Sequence, residues 1–359
     1  MNHFYTLKVA KIQKVTDEAV KITFEIPSSL QDKFKFKQGQ YLNLKFNFGE
    51  EEFRRSYSII DAPSENSQTL SILVKQMENG TISTYLNQNL KENDEVEVQQ
   101  PMGNFCTNYH ASNQKNYVGI AAGSGVSPVL SNLKEALFQE PNAKVLLFFG
   151  NKNSQNILLK EELDALKEQF PERFQVTHVL SREPQEDALF EGRITTEKLG
   201  QLLDKNSEIK PEDSTFFICG PTEMIKSTSD FLKKERKVPA LQVLYEYFSA
   251  PDDEDNAEMS EEFKKIPNLE SFVTLIMDDD EYSIHLNSKK ESILDKALKE
   301  NLPVPFACKG GVCCTCKAQV MEGEVFMEKK LCAYRRRSRK RFCINLSVSS
   351  YYQYRDAEL

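Results

Sequence analysis

The first third of the chain alternates short apolar runs with polar segments, a pattern typical of half-buried β-strands. The runs are rich in β-branched and aromatic residues, and turn-like segments such as Gly49–Glu52 and Asp61–Gln68 lie between them. The predicted strands are Thr6–Val15, Ala19–Ile26, Gln40–Phe46, Ser56–Ile60, Thr69–Lys75 and Glu95–Gln99. Their lengths and spacing predict a small antiparallel β-barrel over residues 1–110.

Over residues 111–248 the pattern changes, because apolar strand-like runs alternate with amphipathic stretches. The predicted strands are Tyr117–Ala122, Val145–Phe149, Phe174–Leu180 and Thr215–Cys219. The predicted helices are a stretch ending at Phe138, Leu158–Phe170 and Thr222–Lys234. Strands that alternate with helices indicate an α/β domain with a parallel sheet.

The last third begins with an acidic, apolar-poor stretch at residues 249–270, which predicts a flexible linker. Beyond it, Phe272–Met277 and Tyr282–Leu286 are typical of a hairpin, and Ser292–Glu300 of a helix. A cysteine-rich loop follows that helix. We therefore expect a third small domain over residues 271–359.

Length, charge and hydropathy favour a multidomain protein and argue against nucleic-acid-binding, membrane-spanning and exported proteins. A length of 359 residues suits two or three domains, and a net charge of −8 argues against nucleic acid as the main partner. The strongest apolar run, Val145–Phe149, is far too short to cross a membrane, and Met1–Gln13 lacks the apolar core of an export signal. We expect a cytoplasmic protein with no membrane partner.

Three cysteines, Cys308, Cys313 and Cys316, have the C-x4-C-x2-C spacing of plant-type [2Fe–2S] sites, which take a fourth cysteine further on. Cys314 lies off this spacing and is expected to be a bystander. A zinc site or a set of thiols is the alternative. Zinc usually takes a second C-x2-C or Cys/His pair, and the sequence offers none, which favours the iron–sulfur cluster.

Two segments of the predicted barrel are suited to a flavin. Arg55 could hold a pyrophosphate with two hydrogen bonds, Tyr57 could stack on an isoalloxazine ring, and Ser58 could bond its edge. Gly80 and Ser83 open a predicted helix, whose first turn could bind phosphate. An exposed strand face and a plain helix cap are the respective alternatives.

Two segments of the α/β region are suited to a dinucleotide. Gly123, Gly125 and Ser127 follow a buried strand and open a helix, as in a pyrophosphate-binding turn, although the third glycine of the usual fingerprint is absent. A purely structural glycine turn is the alternative. Ser181 and Arg182 follow another strand and could grip a ribose 2′-phosphate, which favours NADPH over NADH.

Cys219, Gly220 and Pro221 end a third strand, at the edge of the sheet where α/β folds bind ligands. A small thiol followed by glycine and proline would let a nicotinamide ring lie close. The alternative for Cys219 is an ordinary buried core cysteine.

Together these motifs resemble the ferredoxin–NADP⁺ reductase superfamily, in its oxygenase-reductase branch with a C-terminal ferredoxin. Arg55-x-Tyr57-Ser58 and Gly80-x-x-Ser83 are similar to the flavin motifs of that family. Gly123-x-Gly125-x-Ser127 and Cys219-Gly220-Pro221 are similar to its nicotinamide motifs. Three further strings make the resemblance specific to one group of reductases within this branch. They are Phe149–Lys152, His178–Pro184 and Ala307–Cys316.

The resemblance implies a barrel that binds FAD, an α/β domain that binds NADPH and a β-grasp ferredoxin domain with a [2Fe–2S] cluster. It places Ser58 and Cys219 at the catalytic site and makes Cys308, Cys313 and Cys316 cluster ligands. It further implies that electrons pass from NADPH through FAD and the cluster to a di-iron oxygenase.

The tail departs from the family pattern, because the fourth cysteine is expected near Leu346. Six of the seven residues in Arg335–Arg341 are basic, which would otherwise indicate a solvated charged face or a nucleic-acid patch. We hypothesise instead a single-base frameshift in an A-rich run at codons 328–330. Removing one A lets the tail be read as a family-like ending with a cysteine at the fourth-ligand position.

If the tail is as written, Cys343 or Cys332 must replace the fourth ligand, or the cluster fails. Three rival functions therefore stay open. The chain could serve another ring-hydroxylating oxygenase, act as a flavoreductase with a non-functional ferredoxin domain, or be a metal-binding redox regulator.

Overall fold

The computed structural model describes residues 3–65, 68–248, 268, 270–277, 280–287, 291–308, 311–313, 315–322, 324–325, 342–344 and 350–351. The chain divides into two compact units, Phe4–Phe248 and the remainder. The predicted linker at residues 249–270 lies almost wholly outside the described residues.

The first part of unit Phe4–Phe248 is a six-stranded antiparallel sheet in the order β4-β3-β6-β1-β2-β5. Its strands are β1 Phe4–Thr16, β2 Ala19–Glu25, β3 Tyr41–Phe48, β4 Glu51–Ser58, β5 Thr69–Lys75 and β6 Glu95–Gln99. A bridge between Ile59 and Ile72 joins the continuation of β4 to β5, the two outer strands of that order. The predicted antiparallel barrel is thus confirmed.

The barrel forms because alternate residues of its strands are apolar and point to one core. In β2, for example, Ile22 and Phe24 are fully buried while Glu25 is exposed. Helix α1 (Thr81–Gln88) adds Ile82 and Leu86 to the same core.

The fourth strand begins earlier than predicted. Phe48 pairs with Glu51, so the turn is only two residues long, and Gly49 adopts a positive φ of 64° within it. The prediction placed a turn over Gly49–Glu52 because that segment consists of glycine and glutamate alone. Cross-strand pairing with β3 overrides that local preference.

The rest of this unit is a five-stranded parallel sheet in the order β11-β10-β7-β8-β9. Its strands are β7 Asn116–Ala122, β8 Lys144–Asn151, β9 Phe174–Leu180, β10 Ser214–Cys219 and β11 Val243–Glu246. The helices are α2 Val126–Gln139, α3 Lys160–Gln169, α4 Thr196–Lys205 and α5 Thr222–Lys234. The predicted parallel α/β arrangement is confirmed.

Two separate apolar clusters show that helices cover both faces of this sheet. Helices α2 and α3 contribute to one cluster, and α4 and α5 to the other. Because β8 lies on one side of β7 and β10 on the other, the chain reverses direction across the sheet at β7. Ligands of such folds bind at the carboxyl ends of the strands beside that reversal.

Polar contacts fasten the barrel to α2. Ser131 of α2 accepts a hydrogen bond from the Gly39 amide at 3.1 Å and donates one to the Asp61 carbonyl at 2.6 Å. Lys134, only 2% exposed, pairs with Glu65 at 3.1 Å and also with Glu162 of α3. These contacts fix α2, which packs on the parallel sheet, relative to the barrel.

The second unit contains a hairpin, a helix and short paired strands. The elements are β12 Glu270–Met277, β13 Asp280–Asn287, α6 Ile293–Lys299, β14 Lys317–Gln319, β15 Glu324–Val325, β16 Phe342–Ile344 and β17 Ser350–Tyr351. Helix α6 is capped by the Ser292 hydroxyl, which accepts from the Asp295 amide at 3.0 Å. The predicted small α+β domain is confirmed. Across the described residues, no helix has the length and apolar character that crossing a bilayer requires.

Candidate active site

The first predicted flavin motif lies at the end of β4. Ser58 is buried, Tyr57 is partly buried and Arg55 is exposed. Burial raises the pKa of Tyr57, and the positive charge of Arg55 opposes that shift. Arg55 and Tyr57 are two residues apart on a strand and therefore project from the same face of the sheet. The structure brings them together as a cation beside an aromatic ring, an arrangement that suits a flavin and its pyrophosphate.

The second predicted flavin motif begins α1. The Ser83 hydroxyl accepts a hydrogen bond from the Met77 amide at 3.0 Å and donates one to the Gly80 carbonyl at 3.3 Å. Ser83 thus holds the turn that leads into α1. Gly80, at the N-cap position, has no side chain with which to cap the first amides of the helix.

A pocket of about 370 Å³ lies against the first turn of α1, and sequence reasoning missed it. Phe48 of β3 and Thr81, Thr84 and Tyr85 of α1 line it. The ring centroids of Phe48 and Tyr85 are 5.2 Å apart, and the ring planes meet at 66°. Two aromatic rings beside a helix start suit a flat heterocycle linked to phosphate, so the residues present fit part of FAD.

The two predicted nicotinamide motifs are in direct contact. Gly123–Gly125 form a 3-10 turn between β7 and α2. A Cβ atom at Gly125 would lie only 2.3 Å from the Cys219 carbonyl oxygen, and one at Gly220 would lie 3.2 Å from the Ala122 Cβ. Only glycine allows this approach. The contact brings the carboxyl ends of β7 and β10 together into one binding edge.

Ser127, in the first turn of α2, is 2% exposed, and its Oγ has no hydrogen-bond partner. The Asn151 Nδ2 at the end of β8 is likewise buried without a partner. Buried polar atoms without partners are costly, and a bound ligand relieves that cost. Both atoms lie at the carboxyl edge, so the residues present fit a dinucleotide. Asn151 belongs to a string quoted for the resemblance, yet its role was not predicted.

Cys219 is fully buried at the end of β10 and belongs to an apolar core cluster. Its register partners are Ala121 of β7 and Glu246 of β11. Pro221 is the N-cap of α5, which begins at Thr222. Sequence reasoning missed Glu246 because β11 is only four residues long. A carboxyl group at that edge could hold or move a proton.

Ser181 and Arg182 follow β9 and are exposed. The Arg182 amide donates to the Lys152 carbonyl at 2.7 Å, which anchors this loop to the one after β8. The neighbouring Glu183 carboxylate accepts from the Ser154 amide at 2.8 Å and from its hydroxyl at 2.9 Å. The acidic side chain of this loop is therefore engaged by protein, while Arg182 is exposed.

The cysteine loop lies just before β14. A hydrogen bond to Cys308 and burial raise the pKa of Cys313, whose thiol also donates to the Thr315 hydroxyl at 3.2 Å. Cys316 is 2% exposed. Within the part of the chain that is described, no three Cys, His, Asp or Glu side chains converge as metal ligands. The structure thus brings Cys308 and Cys313 together without gathering a complete ligand set.

Three thiols in one short loop are nevertheless the soft donor set that iron–sulfur clusters use. Cys314, Cys332 and Leu346 lie outside the described residues, as does the position of the hypothesised frameshift. Cys343 falls in β16, where its backbone pairs with Ala318 of β14. The frameshift and the identity of the fourth ligand stay predictions.

Comparison with known proteins matches each of the three predicted regions to a family. An oxidoreductase FAD-binding domain matches residues 6–107, and an oxidoreductase NAD-binding domain matches residues 120–230. A 2Fe-2S iron-sulfur cluster binding domain matches residues 276–344. The chain is 37% identical over 333 residues to one component of the 1,2-phenylacetyl-CoA epoxidase of Escherichia coli, with 91% of this chain and 90% of the relative covered.

The chain belongs to the ferredoxin–NADP⁺ reductase superfamily. Within it, a second relative is the ferredoxin reductase component of 3-ketosteroid-9-alpha-monooxygenase from Rhodococcus rhodochrous, 28% identical over 90% of this chain and 87% of that protein. The chain is thus an oxidoreductase, the reductase of an oxygenase system, with FAD, a nicotinamide nucleotide and a [2Fe–2S] cluster as its redox groups.

Solved structures of this reductase fold agree with the architecture. Phthalate dioxygenase reductase gives a TM-score of 0.59 at 20% identity, covering 97% of this chain and 96% of that one. A type IV self-sufficient cytochrome P450 monooxygenase gives a TM-score of 0.69 at 17% identity, with 97% of this chain and 40% of that chain covered. At these identities the likeness shows the fold alone.

Proposed function

We propose that this reductase oxidises NADPH and supplies electrons to the di-iron oxygenase component of a phenylacetyl-CoA epoxidase, in phenylacetate catabolism. The observation that carries the proposal is the 37% identity to the Escherichia coli epoxidase component over 91% of this chain. This similarity spans the FAD-binding, NAD-binding and iron–sulfur regions together, so it concerns the whole electron path.

NADPH is favoured over NADH by the loop after β9. In dinucleotide folds, an acidic residue at this edge binds the ribose 2′-hydroxyl of NAD, whereas an arginine accommodates the 2′-phosphate of NADP. Here the acidic candidate, Glu183, is bonded to Ser154, and Arg182 is exposed beside Ser181. A guanidinium and a hydroxyl are matched to a phosphate monoester.

Each residue of the site is assigned a role from its place in the barrel or at the carboxyl edge of the parallel sheet. Arg55 would hold the pyrophosphate of FAD, Tyr57 would stack against the isoalloxazine, and Ser58 would bond its reacting edge. The contact between Gly125 and the Cys219 backbone joins the two strand ends at which the nicotinamide would bind, and Ser127 would donate to a nucleotide phosphate. When bound, FAD converts the two electrons of a hydride into single-electron steps that suit an iron–sulfur cluster.

The cluster would be held by Cys308, Cys313 and Cys316 with a fourth ligand from the tail. The acidic, apolar-poor composition of residues 249–270 supports a further proposal, that the ferredoxin domain moves between flavin and oxygenase. A crosslink that locks the ferredoxin domain onto the flavin domain should then abolish oxygenase turnover, and unimpaired turnover would exclude such movement.

The test is reconstitution of the full chain with FAD and iron–sulfur cluster, followed by assay with the oxygenase component of a phenylacetyl-CoA epoxidase. We expect kcat/KM for NADPH to exceed that for NADH by at least about tenfold, since loss of a well-bonded phosphate costs more than about 1.4 kcal/mol. Product formation from phenylacetyl-CoA should require NADPH. Equal use of NADH would refute the coenzyme assignment, and no product would refute the partner.

The departing tail favours a second candidate, a flavoreductase whose ferredoxin domain does not function. Iron analysis of the purified chain decides between the two. About two irons per chain, the content of one [2Fe–2S] cluster, would support the full electron path. FAD without iron, together with NADPH-dependent reduction of ferricyanide but not of cytochrome c, would support the second candidate.

A further inference from the structure

Two lysines pair with one carboxylate where the barrel meets the parallel sheet, and an arginine lies near enough to add its charge. The Glu18 Oε2 lies 3.1 Å from the Lys152 Nζ and 3.9 Å from the Lys75 Nζ. Arg182 is close enough to interact electrostatically with both Glu18 and Lys75. We call Glu18, Lys75, Lys152 and Arg182 the Glu18 cluster.

The cluster draws on four separate parts of unit Phe4–Phe248. Glu18 lies in the turn between β1 and β2, and its carbonyl accepts a hydrogen bond from the Gln76 amide at 2.7 Å. Lys75 ends β5, Lys152 follows β8, and Arg182 follows β9. Two of the three cations therefore stand at the carboxyl edge, where α/β sheets bind nucleotides.

The charges of the cluster do not balance. Two lysines pair with a single carboxylate and Arg182 adds a third positive charge nearby, which leaves two positive charges in excess. Burial lowers the pKa of Lys75, and the positive charges of Lys152 and Arg182 lower it further. Lys152 in turn lowers the pKa of Glu18 through their hydrogen bond. Within the cluster, Glu18 is the group that relieves the mutual repulsion of the cations.

We propose that Glu18 is a built-in counter-anion that competes with a phosphate group of the nicotinamide nucleotide for the cations of the Glu18 cluster. The proposal rests on the assignment of Arg182 to nucleotide binding made above. A phosphate monoester carries a charge of about −1.5 to −2 at neutral pH, which matches the excess positive charge. Glu18 then limits nucleotide affinity and keeps the cations arranged when no nucleotide is bound.

The phosphate could be the 2′-phosphate of NADPH or the pyrophosphate of either coenzyme. The test therefore measures binding of 2′,5′-ADP and of 5′-ADP to the FAD-loaded chain by isothermal titration calorimetry. Glu18→Gln removes the competing charge and keeps the shape of the side chain. The control is Asp17→Asn, which removes a charge from the same turn, where Asp17 pairs with Lys14 at 2.8 Å rather than with the cluster.

We expect Glu18→Gln to tighten binding by about two- to fivefold at low salt, as for the loss of one partly exposed opposing charge, and Asp17→Asn to leave it unchanged. The gain should shrink above about 0.5 M salt because the charges are then screened. Tightening for 2′,5′-ADP alone identifies the 2′-phosphate as the group. Tightening for 5′-ADP, whether or not 2′,5′-ADP follows, identifies the phosphate at the 5′ position, which belongs to the pyrophosphate in the intact coenzyme. Unchanged or weaker binding of both ligands to Glu18→Gln overturns the proposal.

The same measurements separate this inference from the proposed function. If the wild-type chain binds 2′,5′-ADP no better than 5′-ADP, the NADPH assignment fails, while the effect of Glu18→Gln on 5′-ADP still tests the role of Glu18. If the wild-type chain prefers 2′,5′-ADP and Glu18→Gln changes nothing, the role of Glu18 fails and the NADPH assignment stands.

Discussion

Gly125 shows how a single missing Cβ shapes the site. A Cβ atom there would lie 2.3 Å from the Cys219 carbonyl oxygen and 2.8 Å from the Gly220 amide nitrogen. Both are backbone atoms of a strand end, so they cannot move aside as a side chain would. Gly123 is different, because its φ is 54° but no atom lies within 4 Å of its would-be Cβ.

These two glycines give a matched pair of variants. We expect Gly125→Ala to lower the free energy of unfolding by about 2–3 kcal/mol through overpacking and to weaken 2′,5′-ADP binding. Gly123→Ala should cost only about 1–2 kcal/mol, from the left-handed backbone. Urea unfolding and calorimetry measure the two effects. Equal nucleotide affinities for the two variants would contradict the close approach.

Asp61 gives the barrel interface a pH dependence. Burial raises the pKa of Asp61 to about 6, although Lys134 and Lys21 oppose the shift. The folded state thus holds a proton that the unfolded state loses near pH 4, so this residue destabilises the fold progressively as pH rises from about 4 to about 6.

Asp61→Asn mimics the protonated form and should remove this dependence. The wild type loses stability as Asp61 ionises, whereas the variant does not. We therefore expect the unfolding free energy of the variant, minus that of the wild type, to be roughly 1 kcal/mol larger at pH 8 than at pH 5. Denaturant unfolding at the two pH values measures the gain. A difference between variant and wild type that does not change with pH would show that the Asp61 carboxyl ionises normally.

At the scale of elements, helix α2 serves two purposes one turn apart. Ser131 bonds to Gly39 and Asp61 and so fastens the barrel, whereas the Ser127 hydroxyl is buried without a partner. The same residue type on the same helix thus contributes to stability at one position. At the other position, Ser127, the hydroxyl lacks a partner within the protein and can donate a hydrogen bond to a nucleotide phosphate.

Alanine variants of the two serines should separate these roles. Ser127→Ala should leave the melting temperature unchanged or raised and weaken 2′,5′-ADP binding by about fivefold, the worth of one hydrogen bond of about 1 kcal/mol. Ser131→Ala should lower the unfolding free energy by about 1–2 kcal/mol, since it leaves the Gly39 amide without its acceptor, and should change binding little. The reverse pattern would show that Ser127 is structural.

Element prediction succeeded where the apolar pattern was long and failed where it was short. The barrel strands and the strands β7 to β10 follow from alternation or from buried runs. Helix α4 was missed because Gly200 interrupts it and six of its ten residues are polar. Strand β11 was missed because four residues are too few to show a recognisable alternation of apolar and polar positions. For the same reason Glu246, at the end of β11, was not predicted to lie at the site. Pairing with β10 decides that β11 exists.

At the scale of the whole molecule, the division after Phe248 separates the nucleotide-binding part from the cysteine loop. We expect a chain cut after Phe248 to fold, bind FAD and reduce ferricyanide with NADPH at a rate within about threefold of the full chain, because its cores are complete. Reduction of cytochrome c should be lost. Steady-state assays of both chains check this, and failure of the short chain to retain FAD would show that the two units depend on each other.

The sequence by itself determined the order of the three regions, the class of each fold and the redox groups of the chain, while the residues assigned to bind those groups stay predictions. It could do so because side-chain periodicity and short glycine or cysteine spacings are local properties of the chain. Only the tertiary structure decided which motifs meet. Three features join segments that are distant in the sequence, namely the backbone contact between Gly125 and Cys219, the pocket between Phe48 and α1, and the Glu18 cluster. The surrounding fold likewise decides that the Ser127 hydroxyl is buried without a partner. Such contacts depend on strand order and on the packing of barrel against sheet, which no local pattern encodes.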